Sequence, residues 1–240
     1  MSNASNAPDQ ARDLYLRTTF LERIAHELRG PAGVASGALD EIESALGTRA
    51  TEVSGFLAMA RRGVQRILRV ARRLHRTAQL ESGGVEWVFG PTDLRVIVEQ
   101  GAREAERLEA RRGIRVQLAT PSDLCWADVD AAWLAEAVSE LVANAIRFAR
   151  TEVMVEVQAE PEEIRVVIGD DGPGVRTLPS SRFGPSDARR GLGLSVPMVL
   201  DVLRAHGGRL EFGPQPSGGG RVLVALKRVQ RGGSDDTTVP

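Results

Sequence analysis

Residues that could do chemistry gather in four short stretches of this sequence. The first is FLERIAHELRGP, residues 20–31, which places His26 directly before Glu27. An imidazole is nucleophilic near neutral pH without help from a metal. A carboxylate beside it can hold one ring N–H and take its proton as the other nitrogen attacks, worth about 10²–10⁴-fold in rate. Pro31, five residues on, removes a helical hydrogen bond and should kink or loosen the helix one turn past the histidine. The second stretch is SELVANAIRFA, residues 139–149, in which Glu140, Asn144 and Arg147 fall at i, i+4 and i+7 on one helix face. An inward asparagine on an otherwise apolar helix is expensive unless it meets a ligand or a metal, although the same spacing also suits a solvated face. The third is GDDGPGV, residues 169–175, where Asp170 and Asp171 precede Gly172 and Gly174. Such a backbone can pass close to a flat ring, and it can equally be a plain turn. The fourth, Gly191–Leu192–Gly193–Leu194, opens a helix whose free N–H groups and positive dipole end suit a phosphate. It fails as a dinucleotide fingerprint, because Val196 stands where the third glycine belongs and no clear strand precedes it.

Two regions of different periodicity must position these stretches. From Leu14 to about Leu46 one apolar series runs Leu14, Leu21, Leu28, Ala35, Ile42, and a second runs Thr18, Ala25, Ala32, Leu39, Leu46. Together they make a 3.5-residue repeat, the seam of a coiled coil or helical bundle, and in that register His26 and Glu27 face outward. Gly47 and Thr48 interrupt it, and a second helix to about Glu81 carries the series Val53, Ala60, Ile67, Leu74 and Leu57, Val64, Ala71, Ala78. Two long helices and a short loop predict an antiparallel hairpin with too little core of its own, which a second copy would complete as a four-helix bundle. Beyond Ser82–Gly83–Gly84 the pattern changes. Asp93 can cap a helix to about Arg112, strands are predicted at 114–119, 124–129, 152–158 and 164–168, and helices at 130–149 and 192–206. Residues 209–212 and 221–226 read as a closing pair of strands, and 172–190 carry no regular period. Strands mixed with helices in this way predict an α+β two-layer sandwich.

Composition removes several function classes. Lys227 is the only lysine, so neither a P-loop nor a Ser/Thr protein-kinase strand lysine is present. A single cysteine, Cys125, excludes an intramolecular disulfide and a thiolate metal site, and the three histidines, His26, His75 and His206, show no metal-ligand spacing. The net charge of −1 gives no general pull toward nucleic acid or anionic membrane. No apolar run approaches the roughly 18 residues that span a bilayer, no signal-peptide pattern opens the chain, and the cytoplasm is the expected compartment. The start, MSNASNA, reads as a linker that would suit a chain separated from an upstream sensor segment, or as a native flexible terminus.

Taken in order, these stretches resemble the catalytic core of two-component sensor histidine kinases, over about residues 14–228. FLERIAHELRGP resembles the phosphoacceptor box, which implies His26 as the acceptor and Glu27 as its base. SELVANAIRFA resembles the asparagine box of the GHKL ATPases (the gyrase, Hsp90 and histidine kinase superfamily). That resemblance implies Asn144 on a Mg²⁺ held by the phosphates of ATP, Glu140 as base or positioning group, and Arg147 in the ATP site. GDDGPGV resembles the first glycine box, whose aspartate, here Asp170, accepts from the adenine amino group, with Asp171 in place of a more usual asparagine. Gly191, Leu192, Gly193 and Leu194 resemble the second glycine box, and Phe183 in SRFGPSDARR the phenylalanine box of a mobile ATP lid. Arg189 and Arg190 there could touch phosphates or be solvated, and His206 in AHGGRLEF reads as structural.

The implied architecture is an α-helical hairpin, forming a dimeric four-helix bundle, followed by an α+β two-layer sandwich of the Bergerat ATP-binding type. Expected bounds are a flexible N-terminus at 1–13, the dimerisation and phosphoacceptor hairpin at 14–84, the ATP-binding domain at 85–231 and a flexible tail at 232–240. The implied function is an ATP- and Mg²⁺-dependent histidine autokinase. Its partners would be a second copy of the chain and the receiver domain of a separate response regulator.

Two features set this sequence apart. Many such kinases carry Thr or Asn four residues after the histidine, where it orients the water that dephosphorylates the regulator; here the position is Gly30, which predicts weak or absent phosphatase activity. The second helix carries Arg61, Arg62, Arg66, Arg69, Arg72, Arg73 and Arg76 and no acidic residue between Val53 and Leu80. That face is either a solvated bundle surface or a docking face for an acidic receiver; no motif or aromatic interleaving supports nucleic acid. Two other functions compete: a histidine phosphotransfer adaptor with an ATP-free second domain, and a GHKL ATPase switch that does not phosphorylate itself. The intact glycines and Asn144 oppose the first, and HELRGP opposes the second.

Overall fold

A seam that repeats every 3.5 residues can be covered only by another helix running alongside, and the first 86 residues do this. The computed structural model describes residues 7–109, 113–174, 195–215 and 218–229, with side chains from residue 14 onward. It divides into two compact units, Met1–Glu86 and Trp87–Pro240. In the first, α1 (Ala7–Leu46) and α2 (Ser54–Ser82) form an antiparallel hairpin joined by a 3₁₀ turn at Gly47–Thr51. The helix α1 starts seven residues before the seam, with Pro8 in its first turn, where a missing N–H costs nothing. Pro31 lies inside α1 without ending it. Thr18, Leu21, Ala25 and Ala32 of α1 are buried, as are Leu57, Ala71, Leu74 and Ala78 of α2. Towards the turn the seam is only partly covered: Ile42 is 48% exposed and Ile67 43%. Gly83 ends α2 in the left-handed region, its N–H and that of Gly84 returning to the carbonyls of Leu80 and Gln79.

The second unit is a two-layer sandwich. Its elements are β1 (Gly90–Asp93), α3 (Leu94–Glu109), β2 (Arg115–Ala119), β3 (Trp126–Val129), α4 (Ala131–Phe148), β4 (Glu152–Ala159), β5 (Glu163–Asp170), α5 (Ser195–Ala205), β6 (Arg209–Pro214) and β7 (Gly220–Lys227). Five strands pair in the order β2-β4-β5-β7-β6, and β1 pairs with β3 in a separate ribbon. All of these pairings are antiparallel except β2 with β4, which are joined through β3 and α4. Alternation decides which face is covered. Val153, Val155, Val157, Ile164, Val166 and Ile168 point into the core under the helices. Met154, Glu156, Gln158, Arg165 and Val167, one residue out of phase, line the opposite face. With the helices segregated to one face, this is the expected sandwich.

Candidate active site

The reactive-looking residues of the hairpin, His26 and Glu27, stand exposed on α1. Ala25 is fully buried in the seam and Leu28 half-buried, which turns His26 and Glu27 outward to an exposed face. Gly30, one turn on, has open space where a Cβ would stand, so no packing explains that glycine.

The sandwich builds its site around α4. Asp130 caps the helix, its Oδ1 accepting from the N–H groups of Ala132 and Trp133, both at 3.1 Å. Glu140, at mid-helix, is buried and its Oε2 accepts from Ser195 Oγ at 2.8 Å. That bond ties the first residue of α5 to the middle of α4. One turn later Asn144 is half-buried, and its Oδ1 accepts from Arg147 Nη1 at 3.0 Å. Arg147 Nη2 also lies 3.5 Å from Glu109 Oε1 at the end of α3. The three residues therefore share one helix face, with Arg147 steered by a carboxylate from a second helix.

Asp170 ends β5 and is buried, with Oδ1 accepting from Gly172 N–H at 2.9 Å. Burial pushes its carboxyl above the usual carboxylate range, against the N–H groups of Gly172 and Gly220 that favour the charge. Its loop is pressed from two sides. A Cβ on Gly172 would come within 2.3 Å of the carbonyl of Phe148, the last residue of α4. Gly219, at φ +105°, passes so close behind that its Cβ would overlap the Asp170 carbonyl at 1.8 Å. The last turn of α4, carrying Asn144 and Arg147, and the Asp170 loop thus meet. Asp171 points elsewhere. Its carboxylate accepts from the N–H of Arg150 at 2.7 Å, Thr151 at 2.9 Å and Glu152 at 3.3 Å, and from the Thr151 hydroxyl. These bonds hold the Asp171 carboxyl well below the usual range, the Thr151 hydroxyl contributing most. Asp171 pins the α4–β4 turn, a structural role that its position beside Asp170 does not disclose.

The structure joins Asn144 to Arg147 and Glu140 to Ser195 on α4, and packs the Asp170–Gly172 loop against the end of that helix at Phe148, with Gly174 at φ +78° just beyond. Phe183, Gly191, Leu192, Gly193 and Leu194 lie outside the described residues. Nothing in the sequence marks Ser195 or Glu109 as partners of α4; Gly219 lies in the glycine run at 218–220, which fits the last strands and also permits its close approach to Asp170. His206 is structural, as its context implies: Nε2 accepts from Asp130 N–H at 2.9 Å, which leaves the proton on Nδ1, 2.6 Å from the Val202 carbonyl.

A buried acceptor beside a glycine cradle suits a flat ring bearing an amino group, and the amide and guanidinium of α4 suit an anion or an ion carried with it. Among the described residues no cluster of three His, Cys, Asp or Glu could hold a metal alone. None of the described helices is long and apolar enough to cross a membrane.

Comparison with known proteins agrees with this geometry. Residues 129–230 match the family of histidine kinase-, DNA gyrase B- and HSP90-like ATPases. The signal transduction histidine-protein kinase BaeS of Escherichia coli is 25% identical over 88% of this chain and 47% of its own length. The sensor histidine kinase MtrB of Mycobacterium tuberculosis H37Rv is 27% identical over 94% of the chain and 41% of its own length. The chain thus spans less than half the length of these curated relatives. Among solved structures, full-length ShkA in complex with AMPPNP superposes with a TM-score of 0.67 at 20% identity, over 89% of this chain and 47% of that one. The Acinetobacter baumannii histidine kinase AdeS gives 0.54 at 20% identity, over 85% and 96%.

Proposed function

We propose that this chain, which carries the catalytic core of a two-component sensor histidine kinase, uses ATP to phosphorylate its own His26. The observation that supports it most is the packing of the Asp170–Gly172 loop on the end of α4, the helix that carries Glu140, Asn144 and Arg147, within the matched ATPase region. Asp170 accepts from the adenine amino group, and Gly172 lets its loop close on the end of α4. Asn144 would hold a Mg²⁺ carried with the nucleotide through its amide oxygen, now on Arg147, while Arg147 answers the phosphate charge. Bound Mg²⁺ supplies charge neutralisation on the phosphates. Glu140, anchored by Ser195, positions the transferring end of the nucleotide.

At the hairpin, a ring nitrogen of His26 forms a bond to the γ-phosphorus. The bond from that phosphorus to ADP oxygen breaks, and its electron pair leaves with ADP. Glu27 takes the proton from the other ring nitrogen, and the phosphoryl group then passes to an aspartate of a separate response-regulator receiver domain. Gly30 supplies no side chain to hold a hydrolytic water, so the enzyme transfers phosphate to its regulator and removes it poorly. A second copy of the chain covers the exposed seam residues Ile42 and Ile67, completing a four-helix bundle.

Incubation with γ-labelled ATP tests the reading. Label on the wild type and none on His26→Ala is expected; label that survives the substitution, or free phosphate released without protein label, overturns it.

A further inference from the structure

The hairpin places a second histidine opposite the first. Near the turn, Arg61 of α2 reaches across to α1, with Nη1 2.6 Å from Asp40 Oδ1 and Nη2 on Glu43 and 3.5 Å from the Leu39 carbonyl. Both helices repeat every seven residues, so the same crossing recurs two heptads along. Fourteen residues before Asp40 is His26, fourteen before Glu43 is Arg29, and fourteen after Arg61 is His75. Each lies one position past a seam residue, Ala25 for His26 and Leu74 for His75, as Leu39 precedes Asp40 and Ala60 precedes Arg61. Exposure follows the same correspondence: His26 and Asp40 are exposed, and His75 and Arg61 are half-buried.

The electrostatics agree with that register. The His75 imidazole is pushed below its ordinary value, first by burial and then by Arg29 across the hairpin and Arg76 beside it, with Glu22 opposing them. Glu22, His26 and Arg29 stand at i, i+4 and i+7 on α1, one stripe facing His75. In the unmodified hairpin these cations favour a neutral ring.

We infer that His75 and Arg29 form a seat for the phosphoryl group once it is on His26, and that His75 takes up a proton from solvent as the phosphoryl arrives. This rests on the reading of His26 as the acceptor. A phosphoryl on imidazole carries close to two negative charges near neutral pH. Placed among Arg29, Arg76 and His75, it opposes the burial and the cations that disfavour a charged His75 ring, and an opposite charge within a few ångströms raises a histidine's affinity for its proton. The sign follows directly. A proton held more tightly in the phosphorylated state stabilises that state fully at pH values below the unmodified His75 midpoint. The gain is lost as pH rises through the phosphorylated midpoint. Glu27, on the next position of α1, keeps its separate task at the ring nitrogen. His75 is a positioning residue and touches the phosphoryl group only after transfer.

Two measurements on the full chain test this. Phosphoramidate phosphorylates exposed histidines without ATP, so His26 can be modified chemically, with His26→Ala identifying its adduct. NMR titration of the His75 ring before and after modification should show its midpoint rising by about one pH unit. An unchanged or lower midpoint overturns the inference, whatever the autokinase does. Separately, the equilibrium label from ATP at fixed ATP:ADP is compared between wild type and His75→Gln from pH 6 to 8.5. The wild type should hold up to about tenfold more label relative to the variant at the acid end and about the same at the alkaline end. His75→Arg, with a permanent cation, should hold the high level throughout, which a merely structural histidine would not permit. A flat ratio overturns the inference. Absence of any label from ATP counts against the autokinase reading alone, and the chemical route still decides the seat.

Discussion

In the hairpin, His26 and Glu27 stand exposed on a helix whose seam is half covered, whereas in the sandwich Glu140 and Asp170 are each less than a tenth exposed. The hairpin keeps His26 accessible, at the expense of a seam left partly exposed at Ile42 and Ile67. The sandwich buries polar groups, and each must then be hydrogen-bonded: Glu140 by Ser195, Asp170 by Gly172. A group that must meet several partners in turn belongs on an open helix. A group that must recognise one ligand is better fixed in place beforehand.

Substitutions can break this contrast, and the largest effect is expected in the hairpin. Ile42→Glu with Ile67→Glu leaves each single hairpin folded, since both side chains are nearly half exposed there. In a bundle they would bury unpaired carboxylates, at about 3 kcal/mol or a hundredfold in dimer dissociation. Light scattering should show a monomer where the wild type is a dimer, with helical circular dichroism retained; equal masses would mean that the hairpin completes its core otherwise. In the sandwich, Asp170→Asn keeps an oxygen for the Gly172 N–H but loses the charged acceptor. Titration calorimetry with ATP should show affinity falling about tenfold to a hundredfold, the worth of a charge-assisted hydrogen bond. Unchanged affinity would remove Asp170 from the nucleotide site. The smallest effect sharpens the distinction within one dipeptide. Asp171→Asn should leave ATP affinity alone and lower the thermal midpoint of the sandwich near neutral pH. Because the folded Asp171 carboxyl titrates below its unfolded value, its stabilisation is present above about pH 4 and is lost as pH falls further. The difference from wild type should therefore shrink on acidification.

Much of this was legible in the sequence wherever the decisive contacts are periodic or local. The seam through Ala25 and Ala32, the alternation in β4 and β5, and the outward position of His26 all follow from a repeat of 3.5 or 2. The placing of the asparagine-box helix and the Asp170 loop in one site rested on resemblance; the close approach of Gly172 to Phe148 is a contact between the two that no local pattern announces. What could not be read depends on partners far apart in the chain. Ser195 meets Glu140 across 55 positions, Asp171 meets Thr151 across 20, and β2 lies parallel to β4 through an intervening ribbon and helix. GDDGPGV singles out Asp170 only by resemblance and says nothing of the bonds that Asp171 makes to the turn, since adjacent residues point in opposite directions at a strand end.

The capping aspartate of α4 carries one further consequence. Besides starting the helix, Asp130 accepts from Val88 N–H at 2.9 Å through its other oxygen. Trp87 packs against Trp133 and His206, with Phe89 also on His206, around the same spot. The polypeptide leaving the hairpin is thus moored to the first turn of the helix that bears Asn144 about 20 Å further along. A pull on residues 85–87 would load that mooring before any strand of the main sheet. Slackening it would cost the one bond to Oδ2, worth about 1 kcal/mol and close to thermal energy, while the Oδ1 cap keeps the helix start in place.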